Sequence, residues 1–185
     1  VAVTNIMSNK LGYKTHYVYR TWKINVDVTI LNNGTAPANI TVAVYYNESG
    51  WHEVGTQTVT NLAPTAQTTV TFSWDLSSVR YCNHTIKANA TLIGAVDTNP
   101  ANNEAYSWVK VRATGDVNDD GRVSVADMVQ VDIALGTKLG EPNYNPNADV
   151  NHDGRISAAD MVQIGIHLGE RAHSKRFPTS SDYYK

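Results

Sequence analysis

Two stretches in the last third of the chain repeat one arrangement of oxygen-bearing side chains. Asp116, Asn118, Asp120, Arg122, Ser124 and Asp127 stand at positions 1, 3, 5, 7, 9 and 12 of the first; Asp149, Asn151, Asp153, Arg155, Ser157 and Asp160 hold the same positions in the second. The second begins 33 residues after the first. Run on to Gly136 and Gly169, the two segments are identical at most positions. That spacing is the donor set of a hard divalent cation. Calcium takes six to eight oxygens at about 2.3–2.6 Å, and a 12-residue loop delivers them from these positions, the seventh through its peptide carbonyl and the ninth through a water. Gly121 and Gly154 fall at position 6, where the chain must turn with positive φ. Magnesium fits poorly, because it demands a tight octahedron and keeps its waters. The residues predict two calcium sites, one in each loop.

The elements that position these donors depart from the general EF-hand pattern. That pattern closes on Glu at position 12 and enters its loop from a helix; here position 12 is Asp both times. Residues 107–113 read as a strand, and 141–148 contain Pro142 and Pro146 and cannot be helical. A sensor that opens a groove needs helices on both sides of its loop, so each unit is a loop followed by one helix. The helices read as 125–135 and 158–168, each stopped by a glycine. Met128, Val131 and Leu135, with Met161, Ile164 and Leu168, recur at helical spacing and are expected to face each other in a very small core. A unit of this size is marginal alone, so calcium is expected to supply folding free energy. A second apolar stripe remains: Val125, Val129 and Ile133 on the first helix, Ala158, Val162 and Ile166 on the second. So small a core cannot bury both faces, and an exposed apolar stripe marks a contact surface. Packing against the N-terminal segment or the C-terminal tail is the alternative.

Residues 114–170 resemble the dockerin domains, two-fold calcium loop–helix modules that plug into cohesin domains. The resemblance rests on the Asp-Val-Asn-x-Asp-Gly-Arg-[Val/Ile]-Ser-x-Ala-Asp core, the closing Asp of both loops and the helix after each. It implies calcium-dependent binding of a cohesin-like partner, docking a secreted protein onto a scaffold. It also implies specificity residues at loop positions 10 and 11 and two turns on: Val125, Ala126, Asp132 and Ile133, and Ala158, Ala159, Gly165 and Ile166. Many cellulosomal dockerins carry a hydroxyl pair at positions 10 and 11, whereas this chain carries Val-Ala and Ala-Ala, which suggests a more apolar interface. The near-repeat also allows two binding orientations related by a half-turn.

Residues 1–112 are a different object, sparse in charge and rich in Thr, Val and Asn. Residues 24–30 alternate with period two and end at the turn Asn32-Asn33-Gly34; 39–46, 54–59, 67–74, 82–92 and 105–111 follow, and 1–6 opens the set. About seven short strands over this length predict an all-β sandwich of immunoglobulin-like architecture. Cys82 is alone, so no inter-sheet disulfide is expected. The segment resembles the CARDB adhesion modules through Val28-Thr29-Ile30-Leu31-Asn32-Asn33-Gly34 with Ala36, Leu62-Ala63, and Asp97-Thr98-Asn99-Pro100-Ala101-Asn102-Asn103-Glu104. That implies an extracellular spacer or adhesion domain. Trp22, Trp51, Trp74 and Trp108 with Tyr45 and Tyr46 could instead form a stacking platform, which makes a polysaccharide the alternative partner. Phe72 and Trp74 share a face with Val70 and read as core; Trp51, after Glu48-Ser49-Gly50, reads as the exposed aromatic. No hydrolase or metalloprotease motif is present. Glu48, Glu53, Asp75, Asp97 and Glu104 are scattered, and the six histidines show no ligand spacing. The chain is expected not to be an enzyme.

At 185 residues two small domains fit, expected at 1–112 and 114–170, with 171–185 a flexible tail whose Phe177, Tyr183 and Tyr184 could dock on the stripe. A formal net charge of −2 gives no reason to expect nucleic acid as a partner. No apolar run reaches membrane-spanning length. The chain opens at Val1 without a signal peptide and reads as a piece of a longer secreted protein. Calcium loops of this kind suit an extracellular or cell-surface location. Asn33, Asn39, Asn47, Asn83 and Asn89 each open an Asn-x-Ser/Thr triplet, so glycosylation is possible there. A structural stalk, with the calcium module packed on a sandwich of the same polypeptide, is a further alternative.

Overall fold

The computed structural model describes residues 1–10 and 13–172. The expectations for Phe177, Tyr183, Tyr184 and the rest of 173–185 lie outside the described residues. Alternation of apolar and polar residues builds two sheets. The first has the order β2-β1-β4-β7, from β1 (Ala2–Lys10), β2 (Tyr13–Lys14), β4 (Lys23–Leu31) and β7 (Gln67–Asp75). The second has the order β3-β9-β8-β5-β6, from β3 (Tyr17–Tyr19), β5 (Ala38–Asn47), β6 (Trp51–Leu62), β8 (Asn83–Leu92) and β9 (Glu104–Arg112). Every pairing is antiparallel except β3 on β9. Ile24, Val26, Val28 and Ile30 of β4 point inward with Val70, Phe72 and Trp74 of β7; Ile40, Val42 and Val44 of β5 and Ile86, Ala88 and Ala90 of β8 face them. Each of the Val, Ile and Phe side chains among them, fully buried, is worth about 1.5–3 kcal/mol.

Among the described residues the strand count is nine, where about seven are expected. β2 and β3 are two and three residues long, too short for alternation to register. β3 nonetheless matters, because it lies along the end of β9 and places Val18 and Tyr19 in the core.

β9 runs directly into the first loop. Gly115 sits between them at φ +93°, and a Cβ there would lie 3.2 Å from the Ile164 Cα, so only glycine lets the loop approach the second helix this closely. The helices are α1 (Val125–Ile133) and α2 (Ala158–Ile166). Ser124 and Ser157 are their N-caps, accepting from the Ala126 and Ala159 amides at 3.2 and 3.1 Å. Asp127 and Asp160 reach back to the Ser124 and Ser157 amides, both at 2.8 Å, completing capping boxes.

The two halves are tied reciprocally. The Val123 amide donates to Glu170 O and its carbonyl accepts from the Gly169 amide; the Ile156 amide donates to Thr137 O and its carbonyl accepts from the Gly136 amide. These four bonds are 2.8–2.9 Å long. Each loop is thus stitched to the turn that ends the opposite helix. Arg171 pairs with Arg122, and the Ala172 amide donates to Gly121 O, so the chain is held to the first loop through Ala172.

The module core differs from the helical stripes. Val131 and Ile164 are fully buried, and Met128 and Met161 pack against the core. Leu135 and Leu168 are instead about half exposed, at 48 and 52 %. Both helices stop after nine residues, with Ala134 and His167 as C-caps, so the chain has left the helical path before either leucine is reached. Val117, Val123, Tyr144, Ala148, Val150 and Ile156 fill the space instead, all from the loops and their connection. Among the described residues no helix is long and apolar enough to cross a membrane.

This core makes a prediction that helical periodicity alone does not. In denaturant unfolding, Ile164→Ala should cost about 2–5 kcal/mol, while Leu168→Ala should cost less than about 0.5 kcal/mol. Equal losses would restore the leucines to the core.

Candidate metal centre and docking face

Within each loop the side chains named by their spacing point inward. In the first, Asp116 accepts from the Asp120 and Gly121 amides, each at 3.1 Å. Asn118 Oδ1 accepts from the Asp120 amide at 3.0 Å, and Asp120 Oδ1 from the Arg122 amide at 2.9 Å. Asp127 closes the loop, taking the Val117 and Asn118 amides on Oδ1 at 2.7 and 3.1 Å. The second loop repeats this: Asp149 accepts from the Asp153 and Gly154 amides, Asn151 from Asp153, and Asp153 from Arg155. Asp160 Oδ1 takes the Asn151 amide at 3.1 Å. Gly121 and Gly154 have φ +82° and +84°, the turn expected at position 6.

The electrostatics of this arrangement ask for a cation. Asp116, Asp127, Asp149 and Asp160 are all buried. Burial pushes the Asp116 carboxyl above its ordinary range, opposed by the nearby Arg112 guanidinium and reinforced by Asp127. Burial raises Asp149 as well, opposed by a hydrogen bond from Tyr144, whose hydroxyl donates to Oδ2 at 2.6 Å. Carboxylates taken from water need a partner of opposite charge to stay ionised. Among the described residues no three His, Cys, Asp or Glu side chains are drawn into a ready-made metal cage. The three aspartates of each loop are thus not gathered onto one point in this structure, and a donor set there would also need the amide, hydroxyl and peptide oxygens beside them. The donor chemistry, all oxygen with three carboxylates per loop, fits a hard divalent ion.

The apolar stripe is on the surface. Val125, Val129 and Ile133 of α1 are 65, 52 and 75 % exposed; Val162 and Ile166 of α2 are 58 and 67 % exposed. Ala126, Asp132, Ala158, Ala159 and Gly165 are exposed beside them. The described residues of 1–112 do not cover this face. They pack on the other side of the module, through Tyr19, Trp22, Lys110 and Arg112. Sequence reasoning missed these four, because a contact between domains leaves no periodic trace.

The aromatic platform is not assembled as its residues suggest. Trp22 and Trp74 are buried, in the module contact and the sandwich core, and Tyr46 packs on Trp74 and His52. Trp51 is exposed, as are Trp108 and Tyr106. The Lys87 ammonium lies 4.8 Å over the Trp51 ring, and His16 is stacked 4.5 Å from Trp108. His84 is fully buried, its ring nitrogens held by Asn47 O and Arg80 O.

Several known proteins are similar to this one. A CARDB domain from Pyrococcus furiosus protein PF1109, solved in complex with di-metal ions, is 21 % identical, covering 61 % of this chain and 97 % of that one at a TM-score of 0.45. A β-glucosidase from Listeria innocua in complex with isofagomine is 14 % identical over 58 % of this chain, at a TM-score of 0.42. A β-galactosidase homologue from Bacteroides fragilis is 19 % identical over 58 %, at 0.40. This chain spans only 16 % of the length of either glycosidase. No curated protein sequence matches it. The dockerin type I domain model matches residues 114–168, and the CARDB model matches 6–107. Both are non-catalytic domains. With more than half of its residues under the CARDB match, the chain belongs to the CARDB family and carries a dockerin type I domain behind it.

Proposed function

We propose that this chain is part of a secreted or cell-surface protein of adhesion or assembly type, in which the C-terminal module docks a cohesin-like domain in a calcium-dependent way. The observation that carries this reading is the exposed apolar stripe running over both helices of a module whose core lies elsewhere. Solvent is a poor neighbour for apolar side chains this exposed on both helices. Dockerin domains bind cohesin domains, and the dockerin match covers both helices.

The two loops are the calcium sites, through Asp116, Asn118, Asp120, the Arg122 carbonyl, Ser124 and Asp127, and Asp149, Asn151, Asp153, the Arg155 carbonyl, Ser157 and Asp160. A bound calcium supplies the positive charge that four buried aspartates lack. The aspartates hold the loop backbone, the serines start the helices, and the helices carry Val125, Ala126, Val129, Asp132 and Ile133, with Ala158, Ala159, Val162, Gly165 and Ile166, toward the partner. The near-identity of the halves supports two docking orientations. The CARDB sandwich serves as spacer or adhesion unit. Sugar binding by its outer face is the weaker reading, because Trp51 and Trp108 each have a ring face occupied within the chain. The stalk reading is weaker too, because the sandwich leaves the stripe uncovered.

Calcium titration by calorimetry should find two sites, with Asp127→Ala and Asp160→Ala each removing one. Chelation should lower the melting temperature by several degrees, since ligand at about a thousand times its Kd stabilises by about 4 kcal/mol. A melting temperature indifferent to calcium would sink the metal reading. For docking, the full chain should retain a cohesin-like β-sandwich protein from the secreted fraction in calcium and release it to a chelator. Val129→Asp with Val162→Asp should abolish retention while both calcium sites stay filled. Retention that survives this double change would move the interface off the stripe.

A further inference from the structure

The sandwich touches both loops at the same two positions, and neither is a ligand position. At position 2, the Val117 carbonyl accepts from Arg112 Nη1 at 3.3 Å, and the Val150 carbonyl accepts from Trp22 Nε1 at 3.0 Å. At position 4, Asp119 pairs with Lys110 at 2.6 Å, and the His152 ring meets Trp22 edge-on, with ring centroids 3.7 Å apart. Asp119 and His152 both hold positive φ, 63° and 62°, a left-handed conformation that is uncommon for L residues and that Asp and His adopt more readily than most. These residues lie between the side chains at positions 1, 3 and 5, so fixing them aims the donors.

The two clamps differ in kind. Around the second loop the contact is mainly aromatic, with the Lys10 ammonium near Asp149 and His152. Trp22 is 5 % exposed and is itself fixed edge-on by Tyr19 at 4.7 Å. The Tyr19 hydroxyl donates to Asn147 O at 2.6 Å, two residues before Asp149. Tyr144 holds Asp149 from the other side. Around the first loop the clamp is charged and wetter: the Lys110 and Asp119 side chains keep about a third of their surface exposed, and the Arg112 bond is the longer one. Exposed ion pairs hold geometry weakly. The Arg112 guanidinium, 2 % exposed, also sits near Asp116, where its charge opposes a second cation.

We infer that Trp22 is a positioning residue for the second calcium loop. By holding the Val150 carbonyl and the His152 ring from the sandwich, it presents Asp149, Asn151 and Asp153 already turned inward. The ordering cost of binding is thereby met by the fold, and the second loop binds calcium more tightly than the first despite their near-identical sequences. Linkage makes the effect reciprocal: calcium in the second loop tightens the joint between the two domains.

This rests on the calcium reading of the loops, and the test keeps the two apart. The 15N-labelled full chain is titrated with calcium, following the Gly121 and Gly154 amides as one reporter per loop. In the wild type, Gly154 should respond at lower calcium than Gly121. Trp22→Ala should weaken the second loop about tenfold or more, the scale of one lost buried hydrogen bond with its packing, and leave the first loop nearly unchanged. Trp22→Phe keeps the ring and loses the N–H, and Tyr19→Phe loses only the hydroxyl bond to Asn147. Both should shift Gly154 in the same direction by less, and they carry the test if Trp22→Ala folds poorly. The Trp22 indole N–H should exchange more slowly in calcium than in chelator. An unchanged Gly154 response in Trp22→Ala, or equal weakening of both loops, overturns the inference. A wild type in which neither glycine responds overturns the calcium reading itself.

Discussion

Four aspartates buried in a module with a very small apolar core are the constraint from which the rest of the C-terminal structure follows. Asp116, Asp127, Asp149 and Asp160 each accept backbone amides, and none of them is in a salt bridge with Lys or Arg among the described residues. Amide bonds satisfy their oxygens but not their charge. Arg112 offsets part of it at the first loop and the Tyr144 hydroxyl eases it at the second. On the proposed reading a divalent ion in each loop would complete the balance and couple metal binding to folding of this module. The closing Asp serves twice, holding the first residues of its loop and capping its helix. A longer Glu side chain would have to bend to make the same capping contact.

The module's three jobs fall on three different faces. The loops are stitched to the opposite helix ends through Val123 and Ile156, which orders each half around the other. Loop positions 2 and 4 face the sandwich. The helices, freed from both tasks, present their apolar stripe outward. The sandwich contacts equivalent positions of both halves and leaves both helices exposed. The domains are joined by a buried bracket of Tyr19, Trp22 and Arg112 rather than by a bare linker, so the exposed helix face is held in a defined direction relative to the sandwich.

Much of this is legible in the sequence where chemistry has a fixed spacing. The positions of Asp116, Gly121, Asp127 and their repeats mark the loops, and inward-facing Val26, Val28 and Ile30 mark a strand, because both patterns are local. Leu135 and Leu168 mislead because periodicity carries no record of where a helix stops; the reciprocal bonds at Gly136 and Gly169 turn the chain first. β2 and β3 are too short to alternate. Trp22 looks like any strand-edge aromatic until the fold brings it to Val150, 128 residues away. Contacts of that range depend on the whole topology, and a single sequence does not display them.

Calcium in both loops underlies every role proposed for the module, and anomalous scattering from crystals of the full chain grown in calcium tests that most directly. The expected result is one strong peak inside each loop, enclosed by Asp116, Asn118, Asp120 and Asp127 in the first and by Asp149, Asn151, Asp153 and Asp160 in the second. Loops without a peak at millimolar calcium, with the helices and their stripe still ordered, would contradict it.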